Sequence, residues 1–294
     1  LGGLSVRALT LRVWNQIWED EVVDRAAALS YYFLFALLPT LLFLTAFLGL
    51  LPVPGLMDRL MGYAAQVMPA DAASLLRKTL EEIVRGARGS LLSVGVLAAL
   101  WAASNGMASI ITALNAVWKV EDRRPWWKRR LIAVGLTLGF SLFTLSALLL
   151  LVFGERIGKV VAGWVGLGPL FVQAWNVLSW PAVILSVLAG IVLVYYWAPA
   201  VDRRFRWVTP GSAFALVAWL LVSGGLRLYV QHVGNYNATY GSIGGVILLL
   251  LWLYVSGVVL LVGAEIDSEI EIAAREPAAA RARRRIDDAR LGAA

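Results

Sequence analysis

Long apolar runs, broken by short charged ones, set the pattern of this chain. Six windows stay apolar over the roughly 20 residues an α-helix needs to cross about 30 Å of hydrocarbon. They lie near 26–51, 91–118, 131–153, 181–199, 209–231 and 243–264. The pattern predicts an all-α fold, a polytopic bundle of six transmembrane helices forming one domain over residues 1–264. The first window is too long and too late to be a cleaved signal peptide. Ahead of it, residues 4–18 place Val6, Leu9, Val13 and Ile17 at helical spacing, with Trp14 and Trp18 beside them and Arg7 and Arg12 opposite. That fits an interfacial helix in the headgroup plane, or a first helix packed on the bundle.

Between the windows the pattern changes. In 52–90, Leu76, Leu80, Ile83 and Ala87 share a face, and Lys78–Glu82 and Glu81–Arg85 can pair along a helix, so amphipathic helices are expected over the outer surface. Asp71 would start one and Gly86 and Gly89 would stop it. Residues 154–180, with Trp164, Phe171, Trp175 and Trp180, read as interfacial helices interrupted at Gly166, Gly168 and Pro169. The tail, 265–294, is basic, and Arg281, Arg283, Arg284 and Arg285 would each attract anionic headgroups by about 1 kcal/mol near the surface. So short a patch beside a membrane anchor argues against a nucleic-acid partner.

Composition agrees: 60% of the 294 residues are hydrophobic and 15% charged, with mean hydropathy +0.75, far from the balance of a soluble domain. Lys and Arg then orient the chain. Residues 1–25, 119–130, 200–209 and those after 264 hold eighteen of them, and the alternate segments 52–90, 154–179 and 232–242 hold seven. Positive loops stay inside, so both termini are expected in the cytoplasm. The net charge of +7 follows from that topology and from anionic lipids as partners.

With no cysteine and a single histidine, His232, there is no thiolate and no histidine cluster for zinc. Neither a metal nor a cofactor is expected. No nucleophile–base pair or pair of carboxylates shares a depth in the spans, so the chain does not read as an enzyme.

The polar residues inside the spans carry the remaining information. Trp101, Asn105, Ser109, Thr112 and Ala116 fall on one stripe of the second span. An amide in lipid leaves donors and acceptors unpaired, so this stripe should face into the bundle. Two readings stand there: hydrogen-bonded glue between helices, or the lining of a cavity. Asn115, nearer the inner end, suits a cap or packing contact. In the first span Pro39 removes a backbone bond and crowds the carbonyl of Phe35, predicting a kink, while Ser30, Tyr31 and Tyr32 lie toward its inner end. Gly224 and Gly225 weaken the fifth span before Arg227. Gly241 with Gly245, and Gly135 with Gly139, form GxxxG spacings that permit close helix approach. At the inner end of the last span Glu265, Asp267, Glu269 and Glu271 stand where the helix dipole disfavours carboxylates. They need compensation, from Arg25 or from Arg203, Arg204 and Arg206. The expected pair is Arg25 with Glu265, as a structural ion pair or a gate. No ionisable residue lies near the middle of any span, which disfavours a charge-coupled mechanism.

The stretches RAAALSYYFLFALLPTLLF (25–43), LWAASNGMASIITALNAVW (100–118) and TYGSIGGVILLLLWLYVSGVVLLVGAEI (239–266) resemble the YihY/BrkB family of bacterial inner-membrane proteins. The last, with Tyr-Gly-Ser at one end and Gly-Ala-Glu at the other, is the most specific. The resemblance implies a multi-pass inner-membrane protein of a family linked in some members to virulence or serum resistance and in some relatives to envelope-lipid movement. The family also carries an old ribonuclease label, at odds with a chain that has one histidine. The matched positions are Arg25, Tyr32, Pro39, Asn105, Tyr240, Gly241 and Glu265.

The leading reading is a transporter or flippase-like exporter of a lipid or other amphiphile. Its polar path would be lined by Asn105, Ser109, Thr112, Tyr32, Pro39, Tyr240 and Gly241 between the first, second, fifth and sixth spans. The alternative is a non-transporting scaffold for envelope assembly. Oligomeric state is open, with a homo-oligomer among the options.

Overall fold

The computed structural model describes residues 3–49, 58, 61–62, 77–78, 90–165, 169–201, 205–232 and 236–275. Seven helices are described in full: α1 (Val6–Glu19), α2 (Val22–Gly49), α3 (Ser90–Val117), α4 (Trp126–Val165), α5 (Pro169–Trp197), α6 (Pro210–His232) and α7 (Tyr236–Arg275). The fold is an all-α membrane bundle. Among the described residues five helices, α3 to α7, are long and apolar enough to cross a membrane. The first expected span corresponds to α2, much of whose outer half lies outside the described side chains, as do the expected outer helices of 52–90 and most of the basic tail.

Ser5 caps α1, its hydroxyl accepting from the Ala8 N–H at 3.2 Å. Leu9 and Val13 are buried while Trp14 and Trp18 are exposed, so α1 packs one face on α7 and leaves its indoles outward. α3 ends in a Schellman turn: Lys119 N–H donates to the Ala116 carbonyl (2.8 Å), Val120 N–H donates to that of Asn115 (2.9 Å), and Lys119 takes φ 53° where glycine is usual.

Several helices overrun their expected spans. The segment 154–180 does not form separate interfacial helices; α4 runs on to Val165 and α5 starts at Pro169. Residues 166–168, which include Gly166 and Gly168, lie outside the described residues, and Pro169 stands at the first position of α5, where its missing N–H costs nothing. α7 does not stop at 264: it continues to Arg275, and its 40 residues at about 1.5 Å each make it about twice as long as hydrocarbon requires. Helix continues through Pro39 in α2 and through Gly224–Gly225 in α6.

The core is concentrated at the end of the bundle that carries the basic loops. Val22, Ala26 and Leu29 of α2, Ile111, Leu114 and Val117 of α3, Ala133 and Leu136 of α4, Val194 and Tyr195 of α5, and Leu261 and Ala264 of α7 are buried together. Elsewhere the helices expose Leu142, Leu178 and Leu221, an apolar exterior suited to lipid.

The helices approach closely through small residues. A Cβ on Gly139 would stand 2.7 Å from Leu193, whereas Gly135 faces open space, so only one member of that GxxxG makes a contact. The tightest approach joins α6 to α7. A Cβ on Gly211 would stand 1.9 Å from the Gly263 carbonyl oxygen, and one on Gly263 would meet Tyr195 Oη at 2.6 Å. Two Trp–Ser bonds extend this seam, Trp219 to Ser256 and Trp252 to Ser223, each 3.1 Å.

Because backbone blocks any side chain at 211, Gly211→Ala should destabilise the detergent-solubilised protein by about 1–3 kcal/mol. Gly224→Ala, in open space on a helix, should be neutral or stabilising by up to about 1 kcal/mol. Thermal unfolding of the two variants checks both signs.

Candidate functional site

Two polar regions stand out, a groove on the flank of the bundle and a buried network at its basic end. The groove holds about 540 Å³ and is lined by Tyr31, Tyr32, Phe35 and Ala36 of α2, Ala102, Asn105, Ala108, Ser109 and Thr112 of α3, and Arg129 of α4. Four expected path residues, Tyr32, Asn105, Ser109 and Thr112, thus share one wall space. Pro39 is half-buried and lies off the lining. Tyr240 and Gly241 sit in the first turns of α7, their side chains outside the described residues.

The stripe does not face the bundle interior. Asn105 and Thr112 are exposed, while Ala103, Met107, Ile111 and Leu114 take the buried side of α3. The core needs the larger apolar face, so the polar face turns outward, and the groove forms between α2, α3 and α4 instead of the first, second, fifth and sixth spans.

Its floor is not free of charge either. The loop after α3 returns the start of α4 alongside α3. Arg130 Nη1 then donates to Asn105 Oδ1 at 2.7 Å, Nη2 donates to the Trp101 carbonyl at 2.5 Å, and the guanidinium stacks 3.7 Å over the Trp101 ring. Arg129 donates to the Thr112 hydroxyl and to the Ala108 carbonyl (3.4 Å). Ser109 and Thr112 return their own protons to the carbonyls of Asn105 and Ala108. Sequence reasoning missed these arginines because it assigned them to a loop. The signal was their place in Trp126-Trp127-Lys128-Arg129-Arg130, the first turns of a spanning helix.

Asn115 works as a clamp at the basic end. Its Oδ1 accepts from the Ala200 N–H (2.7 Å) and its Nδ2 donates to Asp122 (3.1 Å). Arg124 donates to both Asp122 oxygens (2.7 and 2.9 Å) and to the Ala198 carbonyl (2.9 Å). The bonds from Arg124 hold the Asp122 carboxyl below the usual aspartate range.

Three carboxylates of the acidic run on α7 have partners among the described residues, and Arg203 and Arg204, two of the expected cations, lie outside those residues. Asp267 Oδ1 accepts from the Gly211 N–H at 2.7 Å and Oδ2 from the Thr209 hydroxyl, so the N-terminus of α6 answers its charge. Glu269 lies 3.8 Å from Arg12, and Glu271 accepts from Trp118 (3.4 Å) and Arg275 (2.8 Å). Glu265, 1% exposed, is different: neither of its carboxyl oxygens has a hydrogen-bond partner, and it faces Asp20 and Glu269. The expected Arg25–Glu265 pair does not form. Arg25 lies along the start of α2, where it donates to the Asp20 carbonyl at 2.8 Å and stands 3.8 Å from Glu21. Asp20, which sequence reasoning missed, occupies the place opposite Glu265. Burial raises its carboxyl above the ordinary aspartate value, against the pull of Lys119 at 4.0 Å. One proton shared between the Asp20 and Glu265 carboxyls gives the pair a hydrogen bond that two carboxylates cannot form.

The sequence model described as "Virulence factor BrkB" matches residues 13–286. The chain belongs to the BrkB family. Among its relatives, the Bacillus subtilis (strain 168) protein named ribonuclease-like protein YfkH is 38% identical over 248 residues, 84% of this chain and 90% of that one. A UPF0761 membrane protein of Tolumonas auensis is 26% identical over 273 residues, 91% of this chain and 86% of that one. Another, from Alkalilimnicola ehrlichii, is 29% identical over 266 residues, 87% of this chain but only 56% of its own length. This BrkB-family chain therefore spans little more than half of some relatives. No solved structure matches it. The ribonuclease-like name belongs to the Bacillus protein. Among the described residues of this family member no group of three or more His, Asp or Glu side chains could hold a metal ion.

The raised Asp20 carboxyl has a signed consequence. The folded protein binds that proton more tightly than the unfolded chain, so the stability it contributes is present at and below the ordinary aspartate value and is lost as pH rises through the raised one. Asp20→Asn should leave the melting temperature near pH 4 almost unchanged. At pH 8, where the folded protein would otherwise hold a charged carboxylate in that site, the substitution should raise it. An equal effect at both pH values would contradict the assignment.

Proposed function

We propose that this protein is a transporter or flippase-like exporter of a lipid or other amphiphile, working in the bacterial inner membrane with both termini in the cytoplasm. The flank groove carries the reading. It combines a polar floor of Asn105, Ser109 and Thr112 with an exposed aromatic wall of Tyr31, Tyr32 and Phe35. Such a groove offers a headgroup polar contacts while its chains stay in the bilayer, which lowers the cost of taking a polar group through hydrocarbon. Along α3 the floor from Thr112 to Asn105 covers about 10 Å at 1.5 Å per residue, a third of the hydrocarbon depth.

The orientation is supported by the basic loops after α3 and α5, tied together by Asn115 and Arg124 at the same end of the bundle. Anionic headgroups at that face are the expected lipid partners.

Purified protein in vesicles with a trace of fluorescent phospholipid should expose the inner-leaflet label to a membrane-impermeant quencher several times faster than protein-free vesicles do. The double variant Asn105→Leu, Thr112→Leu, which removes the polar floor, should fall back toward the protein-free rate. A wild-type protein that is folded and reconstituted yet no faster than empty vesicles would sink the reading.

A further inference from the structure

Resting on the transport reading, the charge of the groove narrows its ligand. None of its ten lining residues is acidic, and among the described residues the carboxylate near Arg129, Asp122 at 3.9 Å, is already held by Arg124. Arg129 reaches into the groove at its Thr112 end, and Arg130 is bonded to Asn105 at the other. Each guanidinium has five N–H donors. Arg130 stands behind that lining, its Nη1 and Nη2 engaged by Asn105 and the Trp101 carbonyl and its Nε buried, so it adds positive charge beneath Asn105 while Arg129 presents its donors to the groove. Opposite them, Tyr31 packs on Tyr32 and Phe35, with ring centroids 5.5 and 4.7 Å apart, and all three are exposed.

A cationic floor with spare donors, beside an aromatic wall open to the bilayer, matches a ligand with an anionic oxygen-rich head and an apolar body. We propose that the groove binds the phosphate headgroup of an acidic phospholipid, with Arg129 as its direct anion contact, Arg130 adding positive charge behind Asn105, and Tyr31, Tyr32 and Phe35 flanking the start of its acyl chain. Arginine suits phosphate because its planar fork donates to two oxygens at once. A second copy of this chain fits less well: a two-fold contact through the groove would face arginines with arginines and bring no carboxylate from the lining to meet them.

Native mass spectrometry of the full chain in neutral detergent tests this, using phosphatidylglycerol and phosphatidylcholine with identical acyl chains. The acidic lipid should be retained about thirtyfold more than the zwitterionic one, as two basic side chains near its headgroup imply. The pair Arg129→Gln, Arg130→Gln should erase the preference, and Lys128→Gln, on the exposed neighbour, should keep it. Should the glutamine pair fail to fold, Arg129→Lys with Arg130→Lys should retain the preference, and raised salt should abolish it in the unmodified protein. Equal retention of the two lipids overturns the proposal, as does a preference that survives loss of both arginines or high salt. So does displacement of the lipid by equimolar inorganic phosphate, which marks a plain anion site, or a lipid-free dimer that covers the groove. The two readings fail separately. Selective binding without lipid movement overturns transport and leaves this site standing, whereas lipid movement with no headgroup preference overturns this site alone.

Discussion

An amide or carboxylate placed in or beside hydrocarbon forfeits its hydrogen bonds to water and has to recover them from the protein. This bundle meets that constraint by bringing backbone and guanidinium donors from one element to polar side chains of another. Asn115 is satisfied by the loops after α3 and α5, Asp267 by the first turn of α6, and Asn105 by Arg130. Each contact also fixes where two elements meet, so the same bonds that satisfy the polar groups set the packing at the basic end. Gly211 and Gly263 are the steric counterpart, since only their lack of a Cβ lets the α6 N–H groups come within reach of Asp267.

Glu265 stands apart because no donor reaches it. Asp20 and Glu269 face it, with Lys119 the nearby cation, and one proton shared with Asp20 is what lets the two carboxyls lie together. Asp20 lies in the turn between α1 and α2, and further along α2 the aromatic wall of the groove begins at Tyr31. α3 likewise carries Asn105 at the groove and runs on to Lys119, which stands 4.0 Å from Asp20. The groove and the acidic site therefore lie on α2, α3 and the turns that adjoin them.

Much of this was legible in the sequence. Apolar windows marked the spanning helices because hydrocarbon tolerates little else, and Pro169, read as a break between helices, stands at the start of α5. The gathering of Asn105, Ser109 and Thr112 followed from helical period alone. Their outward direction did not, because period locates a face without saying which neighbour it meets. Arg129 and Arg130 were hidden by a boundary: read as loop, they belonged to solvent, but in the first turns of α4 they lie along α3. The Arg25–Glu265 pairing failed for a related reason. Topology put both residues on one side, yet the turn at Glu21, with φ 51°, presents Asp20 to Glu265 and leaves Arg25 to the turn itself.

The central claim is that the Asn105–Ser109–Thr112 face opens on a hydrated groove and not on acyl chains. Since the chain has no cysteine, a single Ser109→Cys can be probed with a water-soluble maleimide in sealed membranes, against Leu221→Cys on the apolar exterior, where Leu221 is 71% exposed. Ser109→Cys should react much faster than Leu221→Cys, and added acidic phospholipid should slow it. Equal inertness of the two positions would mean that the stripe is covered by hydrocarbon or protein, and the account would be wrong.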